Sequence, residues 1–531
     1  MSKQGFTRRE LFRRGRRAGG VCAAVACLPP AVTAAGASAG LALPASEPED
    51  VYRRIGVRPF INARGTYTVL SGSLMLPEVR TAIAAAAQQY VHLDELTDAI
   101  GARLATLTGA EWGLVTSGCA AALTHATAAC VAGGNPDLHV RIPDLRGFPR
   151  DEVIIPTHSR NVYDAALRAV GVRVLEVATT ADLEAALGPR TAMIYVLAGP
   201  SADRSELNLR AIAPLAQARK VPIVVDAAAE ILTVPNVHLQ QGATLVGYSG
   251  GKCLRGPQSA GLLLGRKDLV RAAWVHSAPH HGFARGLKVG KEDAIGMLQA
   301  VEMWVQRDHD AEWKRWTGWL EHIAARVGDI EGVDTEVVQP EGLSNRTPSL
   351  RITWARERLG LAGDAVARTL FETEPRISLF PARGGDEGRT GVSITPYMMS
   401  PGDERVVADR LRAVLSRSAT ASSTTAAAPA GDLTGEWDTA ITYAAGSSTH
   451  VLYLRQQSDV VEGTHQGEFV SRGLTGTIEG SNIRLRSHYG ERHGDALTFT
   501  FTGVLEGDRL SGDVDMGEYL RATFTAKRRT G

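Results

Sequence analysis

The chain has 531 residues, of which 58 are Lys or Arg and 57 are Asp or Glu, giving a formal net charge of +1. This length exceeds what one hydrophobic core holds and predicts two or three domains, and the near-zero charge offers no footprint for a nucleic-acid partner. Apolar residues make up 44% of the chain, but outside the N-terminus they form no run long enough to span a bilayer, so no membrane association is expected once a signal is removed.

Residues 1–39 form a predicted export signal. Its start is rich in arginine and includes the pair Arg8-Arg9, and small and apolar residues then lead to "ASA" before Gly40. This layout is typical of a twin-arginine signal and predicts an exported protein, periplasmic or extracellular. A basic tail without a targeting role and lipid attachment at Cys27 are the alternatives.

Residues 50–316 form a predicted large α/β domain. The stretch "PEVRTAIAAAAQQYVHLDELTDAIGARLATLTG" has the apolar spacing of two amphipathic helices. Seven short apolar runs follow: "WGLVTSG", "EVIIPTH", "VRVLEV", "AMIYVLAG", "VPIVVDAA", "ATLVGYSG" and "AGLLLG". Because these runs are continuously apolar, both faces of each strand should be buried, which predicts a mostly parallel seven-stranded sheet.

Two further domains are predicted. A long helix or helix pair leads into a small α+β domain over 317–416, which contains "SLRITW", "RISLFPA" and "VSITPYMM", and a Ser/Thr/Ala linker follows over 417–431. Residues 432–529 alternate apolar and polar residues in eight short segments, which predicts a small antiparallel β domain, a barrel or a sandwich. Three of its aromatic residues are assigned to the core: Trp437, Tyr453 and Phe499.

Three candidate functional features follow predicted strands of the large domain. The turn Ser117-Gly118 opens a helix, where free amides suit a phosphate, although a simple helix cap is the alternative. Asp226 follows four apolar residues, so its carboxylate needs either a positive partner or a capping role. Lys252 lies in "GYSGGKCLRGPQSAGLLLG", where it is either an imine-forming lysine of lowered pKa or a surface lysine in a hairpin. A phosphate site, an acid and a lysine at one sheet edge are what pyridoxal 5'-phosphate requires.

The chain from about Val51 to Leu415 resembles the fold-type I pyridoxal-phosphate enzymes. The matching pieces include "INARGTYTVLSGS", "LTGAEWGLVTSGCAAAL", "VVDAAAE", "YSGGKCLRGPQSAGLLLGRKDL" and "GLKVGKEDAIGMLQAVE". Within that fold type it is similar to the selenocysteine synthase-like group, which includes L-seryl-tRNA selenium transferases and D-glucosaminate-6-phosphate ammonia-lyases. The resemblance implies bound pyridoxal phosphate, a small-molecule amino substrate and a homodimer or higher homo-oligomer.

The resemblance also implies roles for individual residues. Cofactor contacts are implied for Lys252 as the Schiff-base lysine, Asp226 as the partner of the pyridine nitrogen, Ser117, Gly118 and Ser249 at the phosphate, and His158 stacked on the ring. Substrate contacts are implied for Asn62, Thr66, Arg285, Lys288, Arg351 and Arg376. A loop position is the alternative for His158, and a surface ion pair is the alternative for Arg351 and Arg376.

The predicted signal occupies the place where a selenium transferase has its tRNA-binding domain, and the net charge is near zero, so no nucleic-acid partner is expected. The predicted function is that of an exported lyase using β-elimination on an amino acid or amino-sugar acid. An aminotransferase, racemase or aldolase is the alternative within the same cofactor chemistry. A non-catalytic ligand-binding protein is the alternative outside it. No metal site is predicted.

Overall fold

The described residues of the computed structural model are 50–383, 388–417, 427–488 and 498–529. The predicted signal over 1–39 and most of the predicted linker lie outside them. The chain separates into two units, Met1–Pro59 and Phe60–Gly531. In the first, the described residues include a short 3-10 helix, Arg53–Ile55. No helix among the described residues combines the length and the apolar character needed to cross a membrane.

The large domain is built on the seven predicted strands, which follow a short first strand, β1 (Ile61–Asn62). They are β2 (Trp112–Thr116), β3 (Glu152–Pro156), β4 (Arg173–Val177), β5 (Thr191–Leu197), β6 (Ile223–Asp226), β7 (Leu245–Ser249) and β8 (Gly261–Gly265). Every residue of β3, β6 and β8 is buried, as their continuous apolar character requires. Each of the seven apolar runs therefore forms a strand.

The strand order in this sheet is β2-β8-β7-β6-β5-β3-β4. Strands β3 to β7 run parallel, whereas β8 is antiparallel to both of its neighbours, β7 and β2. The prediction of a mostly parallel sheet is confirmed. The loop between β7 and β8, which holds Lys252, is short because antiparallel neighbours need no crossover helix.

Helices accompany the sheets. Those with at least nine residues are Pro77–Ala86, Leu93–Thr108, Cys119–Ala132, Leu209–Ala218, Lys267–Val275, Lys291–Gln306, His309–Val327, Gly363–Glu372 and Asp403–Arg417. Shorter helices are Pro136–His139, Ala165–Arg168, Thr180–Ala186, Pro200–Asp203, Val237–Gln240 and Arg356–Leu359. Side-chain caps begin several of them, for example Asn208, which accepts from the amide of Ala211.

The small domain contains a four-stranded antiparallel sheet in the order β12-β13-β10-β9. Its strands are β9 (Val333–Val338), β10 (Ser349–Ala355), β12 (Phe380–Arg383) and β13 (Arg389–Ile394), and β11 (Ile377–Ser378) precedes β12. Strand β1 pairs in parallel with β11, and Ala63 joins the core of the small domain. The segment before the large sheet therefore packs with the small domain, a long-range pairing that local sequence pattern does not reveal.

The boundary predicted between residues 316 and 317 lies inside one helix, His309–Val327. Asp308 caps that helix by accepting from the amide of Ala311, and its apolar residues Leu320, Ile323 and Val327 reach the small-domain core. One continuous helix therefore connects the two domains.

The C-terminal domain is a closed eight-stranded antiparallel barrel. Its strands are β14 (Gly435–Thr442), β15 (Ser447–Gln457), β16 (Val460–Gln466), β17 (Ser471–Glu479), β18 (Asn482–His488), β19 (Phe499–Glu506), β20 (Arg509–Asp515) and β21 (Arg521–Arg528). Pairing of β14 with β21 closes it, which leaves no open sheet edge. Trp437 and Phe499 lie in its core as predicted. The core assignment of Tyr453 is wrong, since this side chain is 41% exposed on the outer face of β15.

A chain of polar side chains runs through the barrel interior. Ser448 Oγ lies 2.9 Å from His450 Nε2, His450 Nδ1 lies 2.7 Å from His465 Nε2, and His465 Nδ1 lies 2.8 Å from Ser487 Oγ. Burial, and next the neighbouring His450, lowers the pKa of His465 to about 3. The folded barrel therefore holds His465 in its neutral form.

We expect acid to destabilise the barrel through His465. Since an unfolded histidine has a pKa of about 6.5, the unfolded state alone takes up this proton between about pH 6.5 and about pH 3, which lowers the free energy of unfolding by up to about 1.4 kcal/mol per pH unit. Hydrogen exchange of barrel peptides at several pH values measures this loss. His465→Gln should flatten the pH dependence, whereas His488→Gln, at an exposed position of the same barrel, should leave it unchanged. Equal slopes in all three proteins would contradict the assignment.

Candidate functional site

The ends of β2, β6 and β7 lie along one edge of the large sheet. Thr116, the last residue of β2, and Ser249, the last residue of β7, are both register partners of Gly261 at the start of β8. Asp226 ends β6 and pairs with Gly247 of β7. The three predicted cofactor features therefore share the edge at which open α/β sheets bind ligands.

The turn after β2 presents the beginning of a helix to this edge. Gly118 has φ +86° and precedes the helix Cys119–Ala132, a conformation that favours glycine. A Cβ on Gly261 would lie 2.4 Å from the carbonyl carbon of Gly118, so only glycine allows β8 to approach the turn this closely. Ser117 Oγ donates to the carbonyl of Leu287 at 3.1 Å. The helix N-terminus provides amides and a positive dipole end for a phosphate.

The carboxylate of Asp226 is buried, with 2% of the residue exposed. Its Oδ1 accepts from the amide of Ala228 at 3.0 Å and lies 3.6 Å from Cys119 Sγ, and its Oδ2 accepts from Tyr195 OH at 3.0 Å. All three of these donors are neutral. A buried carboxyl group whose donors are all neutral is well placed to pair with a cationic ligand atom such as a protonated pyridine nitrogen.

Tyr195 and Asn161 extend this network. Asn161 Nδ2 donates to Tyr195 OH at 3.0 Å. Burial, followed by the charge of Asp226, raises the pKa of Tyr195 above its ordinary value, so the hydroxyl remains a donor. The sequence analysis did not identify either residue. The signal for Tyr195 was a single hydroxyl within the otherwise apolar run "AMIYVLAG".

Lys252 lies in the loop between β7 and β8. It is half-buried and lines a cleft of about 380 Å³ together with Thr66, Ser249 and Gln258. Its positive charge partly offsets the pKa elevation that burial and Asp226 impose on the Cys119 thiol, so Lys252 and Asp226 both act on Cys119. The structure thus brings the lysine, the acid and the turn after β2 to one site.

The cysteines beside the site are held as thiols. Burial raises the pKa of Cys253 to about 11 and also raises that of Cys119. Redox reactivity requires a depressed thiol pKa, so both residues fit a packing role.

His158 follows β3 at the same edge. Its Nε2 lies 3.2 Å from the carbonyl oxygen of Leu207 and its Nδ1 lies 3.0 Å from Ser159 Oγ. Burial lowers the pKa of this imidazole. These two contacts hold the ring at a defined position after β3, and its stacking role stays a prediction.

Two of the predicted substrate residues are Thr66, which lies near Lys252, and Asn62, which lies in β1 beside β11. Thr66 lines the Lys252 cleft, and its Oγ1 lies 2.6 Å from Tyr397 OH. Asn62 closes a local turn, because its Oδ1 accepts from the amides of Arg64 and Gly65. The Asn62 side chain therefore has a structural task, and its substrate role stays a prediction.

The predicted basic residues have different surroundings. Arg285 and Lys288 are exposed and flank Leu287, whose carbonyl accepts from Ser117. Arg351 pairs with Glu336 at 2.9 Å on the exposed face of β10, which is the surface ion pair considered as its alternative.

Arg376 donates from Nε to the carbonyl of Phe371 at 2.7 Å and covers that ring. The substrate roles of Arg285, Lys288, Arg351 and Arg376 stay predictions. Among the described residues, no cluster of three or more His, Cys, Asp or Glu could hold a metal ion.

No family model matches the chain. It is 30% identical over 379 residues to D-glucosaminate-6-phosphate ammonia lyase of Salmonella typhimurium, a match that covers 70% of this chain and 99% of that protein. It is 31% identical over 378 residues to a Streptomyces 5'-C-glycyluridine monooxygenase-decarboxylase, covering 68% and 92% of the two chains. It is 30% identical over 390 residues to L-seryl-tRNA(Sec) selenium transferase of Moorella thermoacetica, covering 65% and 76%.

A solved structure of D-glucosaminate-6-phosphate ammonia-lyase superposes with a TM-score of 0.62 at 29% identity, covering 70% of this chain and 99% of that one. The expected family and cofactor are thereby confirmed. The chain belongs to the fold-type I pyridoxal-phosphate family that includes D-glucosaminate-6-phosphate ammonia-lyase and L-seryl-tRNA(Sec) selenium transferase, and it is a pyridoxal-phosphate-dependent enzyme of lyase or transferase type.

Proposed function

We propose that this chain is an exported lyase that releases ammonia from an amino acid or amino-sugar acid by β-elimination. The observation that carries the proposal is the convergence of Asp226, Lys252 and the Ser117-Gly118 turn at one edge of the large sheet. The 30% identity to an ammonia lyase, in a match that covers 99% of that relative, supports elimination in particular.

The residues at this edge fit the cofactor as follows. Asp226 would pair with the protonated pyridine nitrogen, while the turn Ser117-Gly118 and Ser249 would bind the phosphate. Lys252 Nζ would provide the covalent attachment. When bound, pyridoxal phosphate supplies an electron sink for the negative charge that develops at the substrate Cα.

Lys252 would also move protons during the reaction. Its Nζ would be placed to take the Cα proton of a bound substrate. Overall, the Cα proton and a hydroxyl from Cβ would leave as water, and hydrolysis of the resulting enamine would give a 2-oxo acid and ammonia. The short distance between Tyr195 and Asp226 keeps the carboxylate oriented, so Tyr195 is a positioning residue.

The cofactor-loaded protein should show an absorption band at the short-wavelength end of the visible range, and we expect Lys252→Ala to abolish it. Ammonia release should fall by about 100- to 10,000-fold, the usual contribution of a positioned general base. Lys527→Ala, at an exposed position of the barrel, is the matched control and should retain both properties. A loaded wild-type protein without a lysine-dependent band would refute the proposed enzyme and favour the non-catalytic ligand-binding alternative.

Product analysis separates the reactions that share this cofactor. Equal amounts of ammonia and 2-oxo acid indicate elimination, whereas an aminated acceptor indicates an aminotransferase. Loss of optical activity indicates a racemase, and an aldehyde indicates an aldolase. Any of the last three without ammonia would overturn elimination.

We also propose that the enzyme works as a homodimer or a higher homo-oligomer. The segment that provides Thr68 and Gly72 to the Lys252 cleft also exposes apolar side chains. Within this segment, Val69 is 83% exposed and Leu74 is 64% exposed. Exposed apolar side chains beside the cleft are well suited to burial in an interface with a second copy of the chain.

We expect light scattering after size exclusion to give at least twice the mass of one chain. Val69→Glu should weaken the assembly, because it places a charge in the proposed interface. Tyr519→Glu, at an exposed barrel position, should not. A monomeric wild-type protein at working concentration would exclude the dimer.

Export is the last part of the proposal, supported by the arginine pair and the small-residue end of the segment over 1–39. We expect the double substitution Arg8→Lys and Arg9→Lys to retain the protein in the cytoplasm, since the twin-arginine pair is the recognition feature. The double substitution Arg16→Lys and Arg17→Lys preserves charge in the same way and should leave export intact. Cell fractionation measures both, and an unexported wild-type protein would refute this part.

A further inference from the structure

A second cavity, of about 430 Å³, borders the Lys252 loop. Its walls include three tryptophans, Trp304, Trp313 and Trp316, and three arginines, Arg255, Arg307 and Arg346. The volume falls in the range that encloses small organic ligands. The residues assigned to the cofactor above are not part of its lining.

Hydrogen bonds connect this cavity to the lysine loop. Arg307 Nη2 donates to the carbonyl of Cys253, the residue after Lys252, at 2.9 Å. Tyr397 lines the cavity and hydrogen-bonds to Thr66, which lines the Lys252 cleft. The Lys252 loop and the Thr66–Tyr397 hydrogen bond therefore form a wall between the cavity and the cleft.

The cavity has an excess of positive charge. Glu312 is the only carboxylate among its lining residues, and it lies 3.6 Å from Arg307. The Nε of Arg307 is buried and has no hydrogen-bond partner among the described residues. Burial, and next the charge of Arg307, lowers the pKa of Arg255. Three guanidinium groups facing one carboxylate would be stabilised by an anion.

The same walls offer flat apolar surfaces. Trp304 is buried and fixed by its Nε1 donating to the carbonyl of Leu232 at 2.7 Å. Trp316 meets Tyr397 edge to face with ring centroids 6.2 Å apart. The Arg346 guanidinium lies 6.0 Å from the centre of the Trp313 ring. Indole faces beside guanidinium groups suit a ring that carries a negative charge.

We propose that this cavity is a binding site, separate from the Lys252 cleft, for a small molecule that carries an anionic group on a sugar or aromatic ring. The site stands on the charge of the guanidinium groups and on the indole faces, and it does not depend on the proposed function.

The test uses ring anions that lack an amine and so do not react. Calorimetric titration of the cofactor-loaded protein with D-glucose 6-phosphate and with phenyl phosphate measures binding, and D-glucose and inorganic phosphate are the controls. At least one ring anion should bind about ten-fold or more tightly than either control, because it alone satisfies both the guanidinium groups and the indole faces. The tighter of the two identifies the ring class.

Arg346→Ala should weaken this binding about ten-fold, because it removes one cation from the cavity. Arg346→Lys should restore part of the binding, because it retains that cation. Arg368→Ala, on an exposed helix of the small domain, should change nothing. As a second readout, Trp313→Phe should reduce the tryptophan fluorescence change on binding. Equal affinity in wild type and Arg346→Ala, or no binding of either ring anion, would overturn the site.

Lys252→Ala separates this inference from the proposed function. If it abolishes the cofactor band but leaves ring-anion binding intact, both proposals are supported. If the wild-type protein shows no lysine-dependent band while Arg346→Ala still weakens anion binding, the enzyme proposal fails and the binding site remains.

Discussion

The carboxyl group of Asp226, buried at the end of β6, is the constraint around which the site is organised. A carboxylate that is 2% exposed needs donors on both oxygens. An amide from its own turn, a hydroxyl from β5 and a thiol from the helix after β2 meet that need. Because these donors come from three elements, the carboxyl group holds the neighbouring strands and the helix start in a fixed relation.

The Lys252 loop stands between two spaces of different character. On the cleft side it meets Thr66, Ser249 and Gln258, which are polar. On the cavity side its backbone receives Arg307, beside indole rings. The cleft and the cavity would thus recognise ligands by different chemistry.

Local pattern was sufficient wherever the physical cause was local. Seven continuous apolar runs formed the seven strands of the large sheet, of which the edge strand β4 is only partly buried, and eight alternating segments formed eight barrel strands. Tyr453 is the exception, because it alternates with the buried Leu452 and Leu454 and so lies on the outer face of β15. Local pattern does not show which partner a polar side chain meets. Glu336 pairs with Arg351 and the amides of a nearby turn bond to Asn62, and the substrate roles of both residues stay predictions.

The sequence by itself determined the class of fold, the three chemical groups of the site and the family, because strand burial, the turn Ser117-Gly118, Asp226 and Lys252 each depend on a few adjacent residues. Only the tertiary structure decided what surrounds them. Tyr195 and Asn161 behind Asp226, β1 paired with the small domain, and the cavity of tryptophans and arginines join residues tens to hundreds of positions apart. Such contacts arise from strand order and domain packing, which periodicity does not record.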